Sequence, residues 1–121
     1  MIGAFKPLTQ GSNAPTLHLT TSAATYYTVP EQPDNTVTMV RGVVLCNTSA
    51  AAAEVRVHNV ASGGSAAASN AIVYDLSISA GQTYVLCFDE GAWVMTKGMT
   101  VQALCDTSTA VTITLSGEER S

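Results

Sequence analysis

Charge is what this 121-residue chain has least of. Lys, Arg, Asp and Glu make up 12% of it, where soluble domains carry roughly 25%. The five basic residues, Lys6, Arg41, Arg56, Lys97 and Arg120, are scattered, and the net charge is −4. Binding to nucleic-acid phosphates needs clustered Lys and Arg, so direct nucleic-acid binding is excluded as a function class. No apolar run approaches the ~18 residues that a membrane helix needs, so no span is expected. The opening Met1-Ile-Gly-Ala-Phe-Lys-Pro7 has no basic segment leading into a long apolar one, and no signal peptide is expected. Ser, Thr, Ala and Gly stand where Lys and Glu usually stand. Because Lys and Glu are depleted in subunit interfaces, such a surface suits contact with other subunits.

Catalytic residue types are equally thin. The two histidines, His18 and His58, lie in separate segments, and no Gly-x-Ser-x-Gly or Gly-rich phosphate loop occurs, so neither a nucleophilic triad nor nucleotide chemistry is indicated. His58, next to Glu54 and Arg56, is expected on a solvated strand face. Three cysteines, Cys46, Cys87 and Cys105, have no Cys-x-x-Cys spacing, which argues against zinc. They read as reduced, buried thiols of a protein made in a reducing cytoplasm. Asn47-Thr-Ser49 matches a glycosylation acceptor, a match read as accidental. Asp89, Glu90 and Asp106 could meet at one end of a sandwich to hold calcium or form a glycosidase pair, but solvated turn carboxylates are the simpler reading. No enzyme activity, cofactor or metal is expected.

What the chain does have is alternation. In Met99 to Gly117, Val111, Ile113 and Leu115 face one way and Thr112, Thr114 and Ser116 the other, the pattern of a half-buried strand. Met99, Val101, Ala103 and Cys105 repeat it, broken only by Leu104, and Asp106-Thr-Ser-Thr109 reads as a turn between two paired strands. Further strands are expected at Ala24–Val29, Val37–Cys46, around Glu54–His58, at Ala71–Ile78, Gln82–Phe88 and Ala92–Met95. Ala50–Ala53 leads into a strand rather than a helix, and Ala61–Asn70 reads as a flexible loop. Val37–Cys46 is apolar on both faces, with Val37, Met39, Val43 and Leu45 on one and Val40, Val44 and Cys46 on the other. It is expected to be buried on both sides or to meet a partner.

About eight strands with turns every eight to twelve residues predict an all-β fold, an antiparallel β-sandwich of jelly-roll type. The body is placed at 23–118, with an extended N-terminal arm at 1–22 and a short tail at 119–121. The arm holds separated apolar anchors, Phe5, Leu8, Leu17 and Leu19, with a short strand starting near Thr16. These four residues, together with Arg41, are the candidate inter-subunit contacts. A lone arginine in an apolar strand must find a partner, and Asp75, Glu54 or a neighbouring subunit are the candidates. Trp93 and the tyrosines Tyr26, Tyr27, Tyr74 and Tyr84 offer an alternative, a carbohydrate-binding sandwich that stacks sugars on exposed rings.

Tyr27-Thr-Val-Pro30, Arg41-Gly-Val-Val-Leu-Cys-Asn-Thr-Ser49, Leu76-Ser-Ile-Ser-Ala-Gly-Gln-Thr83 and Met99-Thr-Val-Gln-Ala-Leu-Cys105 together give the chain a look that resembles the small virion proteins of tailed bacteriophages. The resemblance implies an oligomeric β-sandwich without catalysis, acting as a capsid cement or decoration protein, or as a neck or tail accessory protein. It implies virion localisation, other virion proteins as partners, the major capsid protein first among them, and a homo-oligomer, with a trimer favoured.

Overall fold

The computed structural model describes residues 5–9, 16–31 and 36–120. Over them the chain is all-β, with ten strands in two antiparallel sheets: β1 Phe5–Pro7, β2 Thr16–His18, β3 Ala24–Thr28, β4 Val37–Asn47, β5 Ala53–Val60, β6 Ala71–Ile78, β7 Thr83–Cys87, β8 Val94–Thr96, β9 Thr100–Cys105 and β10 Val111–Arg120. One 3-10 turn, Ala68–Asn70, precedes β6. The first sheet runs β1-β10-β4-β7, with β2 also on β10 and β8 also on β4; the second runs β3-β9-β5-β6.

The alternation read in residues 99–117 holds, but its two halves do not pair. β9 lies between β3 and β5 in one sheet, and β10 between β1/β2 and β4 in the other. Each half has a single apolar face, and both faces point into one core from opposite sides. Val101, Ala103 and Cys105 meet Val111, Ile113 and Leu115 there. Residues 106–110 therefore carry the chain across the core rather than closing a hairpin.

A β-bulge decides how β4 is buried. Its pairing with β10 shifts between Ser116 and Gly117, leaving Arg41 as the extra residue. A bulge flips the parity of everything beyond it. The faces expected for an unbroken strand are thus redistributed. Val40 joins Val43 and Leu45 in the core, all fully buried, whereas Met39 lies outside the core cluster. Gly117 sits at the bulge because a Cβ there would lie 2.2 Å from the Met39 carbonyl oxygen.

The chain between the sheets is held by Asn47, fully buried at the end of β4. Its Nδ2 donates to the Ala51 and Ile78 carbonyls at 2.8 Å each, and its Oδ1 accepts from the Ser49 N–H at 2.9 Å. Both amide hydrogens are used internally, which explains the Asn-Thr-Ser match as structural. Ala53 opens β5 fully buried, as the run of alanines suggested.

Candidate assembly surface

The five residues expected at subunit contacts separate. Phe5 lies in β1 opposite Glu118; its side chain is outside the described set. Leu8 and Leu19, 2% and 0% exposed, belong to the chain's own core, and Leu17 packs against that core. The described parts of the segment expected as an arm lie along β10 of the same chain. Lys6 is opposite Gly117 and Leu17 opposite Ile113, with the Leu8 N–H donating to Leu115 O and the Leu19 N–H to Val111 O, both at 2.8 Å. Leu8 and Leu19 are therefore not available to a neighbour. At the other terminus β10 runs on to Arg120, past the expected body boundary at 118. Residues 1–4, 10–15, 32–35 and Ser121 lie outside the described residues.

Arg41 finds its partners within the chain and not at Asp75 or Glu54. Its Nε donates to Phe88 O at 2.9 Å, and its Nη1 lies 3.8 Å from Glu118 Oε1. Glu118, itself 6% exposed, also receives Arg120, which reaches Glu90 at 3.0 Å. On the core side of the same strand end, Glu119 pairs with the Lys6 ammonium and accepts from the Tyr27 hydroxyl, which also bonds Thr38 Oγ1 at 2.6 Å. Burial pushes the Glu119 carboxyl up, but its bonds to Lys6 and Tyr27 outweigh burial and hold it below the ordinary value. Burial, then the adjacent Glu119, pushes the Tyr27 phenol well above its ordinary value.

A second charged group lies on the outer face of the β3-β9-β5-β6 sheet. Asp75 adopts φ 54 at an irregularity in the β5–β6 pairing. From there its carboxylate takes Arg56 in a fork, Nε at 2.6 Å and Nη2 at 3.3 Å, while the guanidinium lies 4.3 Å from the Tyr74 ring centroid. Beside them opens a cavity of about 340 Å³ lined also by Glu54, Leu104 and Asp106. Asp106 Oδ1 accepts from the Glu54 N–H at 3.0 Å and Glu90 is engaged by Arg120. Asp89, Glu90 and Asp106 do not converge; no group of three potential metal ligands exists among the described residues.

His58 is buried, 2% exposed, and not on a solvated face. The loop 61–70 folds over it: His58 Nδ1 lies 3.0 Å from Ala67 O and 2.9 Å from Asn70 Oδ1, and Asn70 in turn braces the loop through Ser65 and Ala67. Of the cysteines, Cys105 is buried, Cys46 partly so and Cys87 exposed. The expectation of three buried thiols fails at Cys87 because β7 is an edge strand and the residue opposite, Gly42, has no side chain to cover it.

The exposed apolar residues are the part that sequence reasoning missed. Ile72, Tyr74, Tyr84, Val85 and Val94 are the large hydrophobics left exposed among the described residues, and all lie on β6, β7 or β8. These are edge strands of their sheets, but the side chains point apart: Val85 shares the outer face of the first sheet with Val44, Tyr84 the core side with Leu45, and Ile72 and Tyr74 flank the buried Val73 on the outer face of the second sheet. Three rows of the first sheet's outer face are uncharged, and the charges begin in the next, where Glu118, Met39 and Val94 stand in line. Ladder partners share a face, so Thr112, Cys46 and Thr83 form one row, Thr114, Val44 and Val85 the next, and Ser116, Gly42 and Cys87 a third. Alternation within β7 could mark a strand, but only pairing shows that it lies at an edge. The aromatics do not form a sugar-stacking row: Trp93 is buried edge-on against Phe88, Tyr26 and Tyr27 are in the core, and Tyr74 and Tyr84 lie on different sheets. No family model, curated protein or solved structure matches the chain.

Proposed function

We propose that this chain is a structural virion protein of a tailed bacteriophage, a capsid cement or decoration protein that stabilises the shell by burying surface between subunits. The observation that carries the reading is the uncharged field on the outer face of the first sheet, three rows of Thr, Ser, Gly, Val and Cys that run out to the exposed Val85 on the β7 edge. Surface without charge is what the core of a subunit contact favours. A standard interface buries on the order of 1,600 Å², and repetition around a shell multiplies its effect.

The fold is read as a jelly roll. With β1/β2 and β7/β8 each counted as one strand, the pairs are first with last (β1/β2–β10), β3–β9, β4–β7/β8 and β5–β6. This is the nesting of one long hairpin rolled into two sheets. Jelly rolls serve in viral capsids and in lectins. The scattered aromatics and the Arg56 guanidinium over Tyr74 favour assembly over sugar binding.

The test is immunogold electron microscopy of phage particles from the strain carrying this coding sequence, together with co-sedimentation of purified protein with empty shells. Gold distributed over heads and saturable co-sedimentation are expected. Gold confined to the neck or tail would assign the accessory role instead. Unlabelled particles and no co-sedimentation would refute the structural reading.

A further inference from the structure

The sheet edges of this molecule are not equivalent. An exposed edge strand offers unpaired N–H and C=O groups to any other strand, and proteins blunt such edges with bulges, charges, prolines or short length. The β1/β2 edge carries Lys6 and Pro7 and is split into two three-residue strands. β3 is interrupted by a register shift between Thr25 and Tyr27. β6 carries two shifts and the charged Asp75 in a left-handed conformation. β8 is three residues long. β7 has none of these devices. Its five residues, Thr-Tyr-Val-Leu-Cys, pair with β4 without a shift and hold no charge and no proline. Among the described residues nothing pairs with its other side.

The direction of its backbone groups is set. The Asn47 N–H donates to Gln82 O, and the Phe88 N–H to Arg41 O, both at 2.9 Å. Even-numbered residues of β7 thus face β4, and antiparallel alternation turns the N–H and C=O of Thr83, Val85 and Cys87 outward.

We propose that β7 pairs antiparallel with β7 of a second copy of this chain about a twofold axis at Val85, joining the two β1-β10-β4-β7 sheets into one. This deepens the assembly reading above and rests on it for its biological setting. In that register Val85 lies opposite Val85 and Thr83 opposite Cys87, so all three outward N–H groups and all three outward C=O groups of each copy are satisfied. A register shifted by two residues leaves some of them unpaired. The register selects a copy of the same chain as the occupant: about Val85 the strand is its own complement, and with no charged side chain on β7 no like charges meet across the axis. The size of the contact is modest. Five residues extend about 17 Å, and sheets stack about 10 Å apart; with side chains this side wall is on the order of 400 Å² per copy, about half a standard contact. The pairing is therefore weak in solution and closes on two copies, not the three favoured from the sequence.

The experiment is sedimentation velocity of the full chain from roughly 10 µM to roughly 1 mM, the range in which a half-sized contact associates. A reversible monomer–dimer equilibrium is expected. Val85→Lys, at a residue 57% exposed, shifts it at least tenfold toward monomer, while Thr25→Lys, exposed on β3 at the far end of the other sheet, leaves it unchanged. Independently, Val85→Cys in a Cys46→Ser, Cys87→Ser background gives a covalent dimer on mild oxidation, because opposed hydrogen-bonded residues sit about 5.5 Å apart, within disulfide reach. Thr25→Cys in the same background does not. A chain that stays monomeric to the top of the range, a dimer indifferent to Val85→Lys, or equal cross-linking at both positions would overturn the proposal. A monomer that still binds shells overturns the edge pairing alone, and a dimer that binds none overturns the virion reading alone.

Discussion

Gly117→Ala is the substitution that most directly tests the architecture around β4. A Cβ at position 117 would lie 2.2 Å from Met39 O, 3.1 Å from Met39 C and 3.0 Å from Leu8 Cδ1. Ordinary contacts begin near ~3.5 Å, so the carbonyl must retreat by about 1 Å. It cannot rotate away, because it belongs to the backbone of a central strand at the bulge. Overpacking of a core costs about 1–3 kcal/mol and sometimes more; an obstacle made of backbone places this case at about 3 kcal/mol or above. A native state held by about 5–15 kcal/mol loses a large share of its stability. At roughly 4 °C per kcal/mol for a domain of this size, the melting temperature falls by about 12 °C. Calorimetry and urea unfolding give the two measures. Gly42→Ala is the control from the same ladder: its nearest neighbour, Ser116 Oγ at 2.8 Å, is a side-chain oxygen that can turn aside, so the cost stays under about 1 kcal/mol. Leu8→Ala does not rescue Gly117→Ala, since the Met39 carbonyl remains. A melting temperature for Gly117→Ala within about 2 °C of the parent would refute the reasoning.

Two further predictions concern the titrating groups. The Glu119 carboxyl is held below its ordinary value of 4.5, so its contribution is full above that pH and is lost as the pH falls through the native value; melting curves below pH 4.5 should decline, and Glu119→Gln should flatten that decline. The Tyr27 phenol is raised above its ordinary value of 10.0, so its contribution is full below that pH and is lost on stronger alkalinisation. Tyr27→Phe should reduce the alkaline loss without abolishing it, because Tyr26 is raised too, by burial first; an unchanged alkaline limb would show the assignment wrong. Thiol labelling followed by mass spectrometry should modify Cys87 quickly in the native state and Cys105 only after unfolding, with Cys46 between; protection of Cys87 in dilute solution would contradict its edge position.

The all-β class and most strand positions were legible in the sequence because period-two alternation is local. Val111, Ile113 and Leu115 against Thr112, Thr114 and Ser116 need no tertiary information. Partner choice does need it. The turn-like Asp106-Thr-Ser-Thr109 suits a hairpin, yet it bridges two sheets because β9 and β10 each find other neighbours on both sides, β3 and β5 for β9, β1, β2 and β4 for β10. The Arg41 bulge was equally hidden: an insertion defined by the register of a strand some seventy residues away leaves no local mark, and it moved Val40 into the core. Phe5, Leu8, Leu17 and Leu19 lacked periodicity for a different reason. Their segment touches β10 twice, at 5–9 and 16–19, with six residues between, so no single strand pattern spans it. His58 was misjudged because the small residues of 61–70 look mobile, and only Asn70 and the 3-10 turn give that loop its hold over the ring.

The scarcity of charge acquires meaning from where the few charges lie. Lys6, Arg41, Glu118, Glu119, Arg120 and Glu90 are bound to one another around the end of β10. Arg56 and Asp75 hold each other on the outer face of the other sheet, beside Glu54 and Asp106. These two groups hold ten of the fourteen charged residues, and the rows from Thr112, Thr114 and Ser116 through β4 to Thr83, Val85 and Cys87 contain no Lys, Arg, Asp or Glu. Scattered at random over a sandwich, fourteen charged residues would interrupt such a field. Desolvating a charge is costly unless a partner compensates it, so a surface covered as proposed, by a second copy at the β7 edge and by a shell across the face, is best built from Thr, Ser, Val and Cys. Composition and edge chemistry thus point the same way, and they part at a single residue: a lysine at Val85 would restore an ordinary protected edge without touching the core.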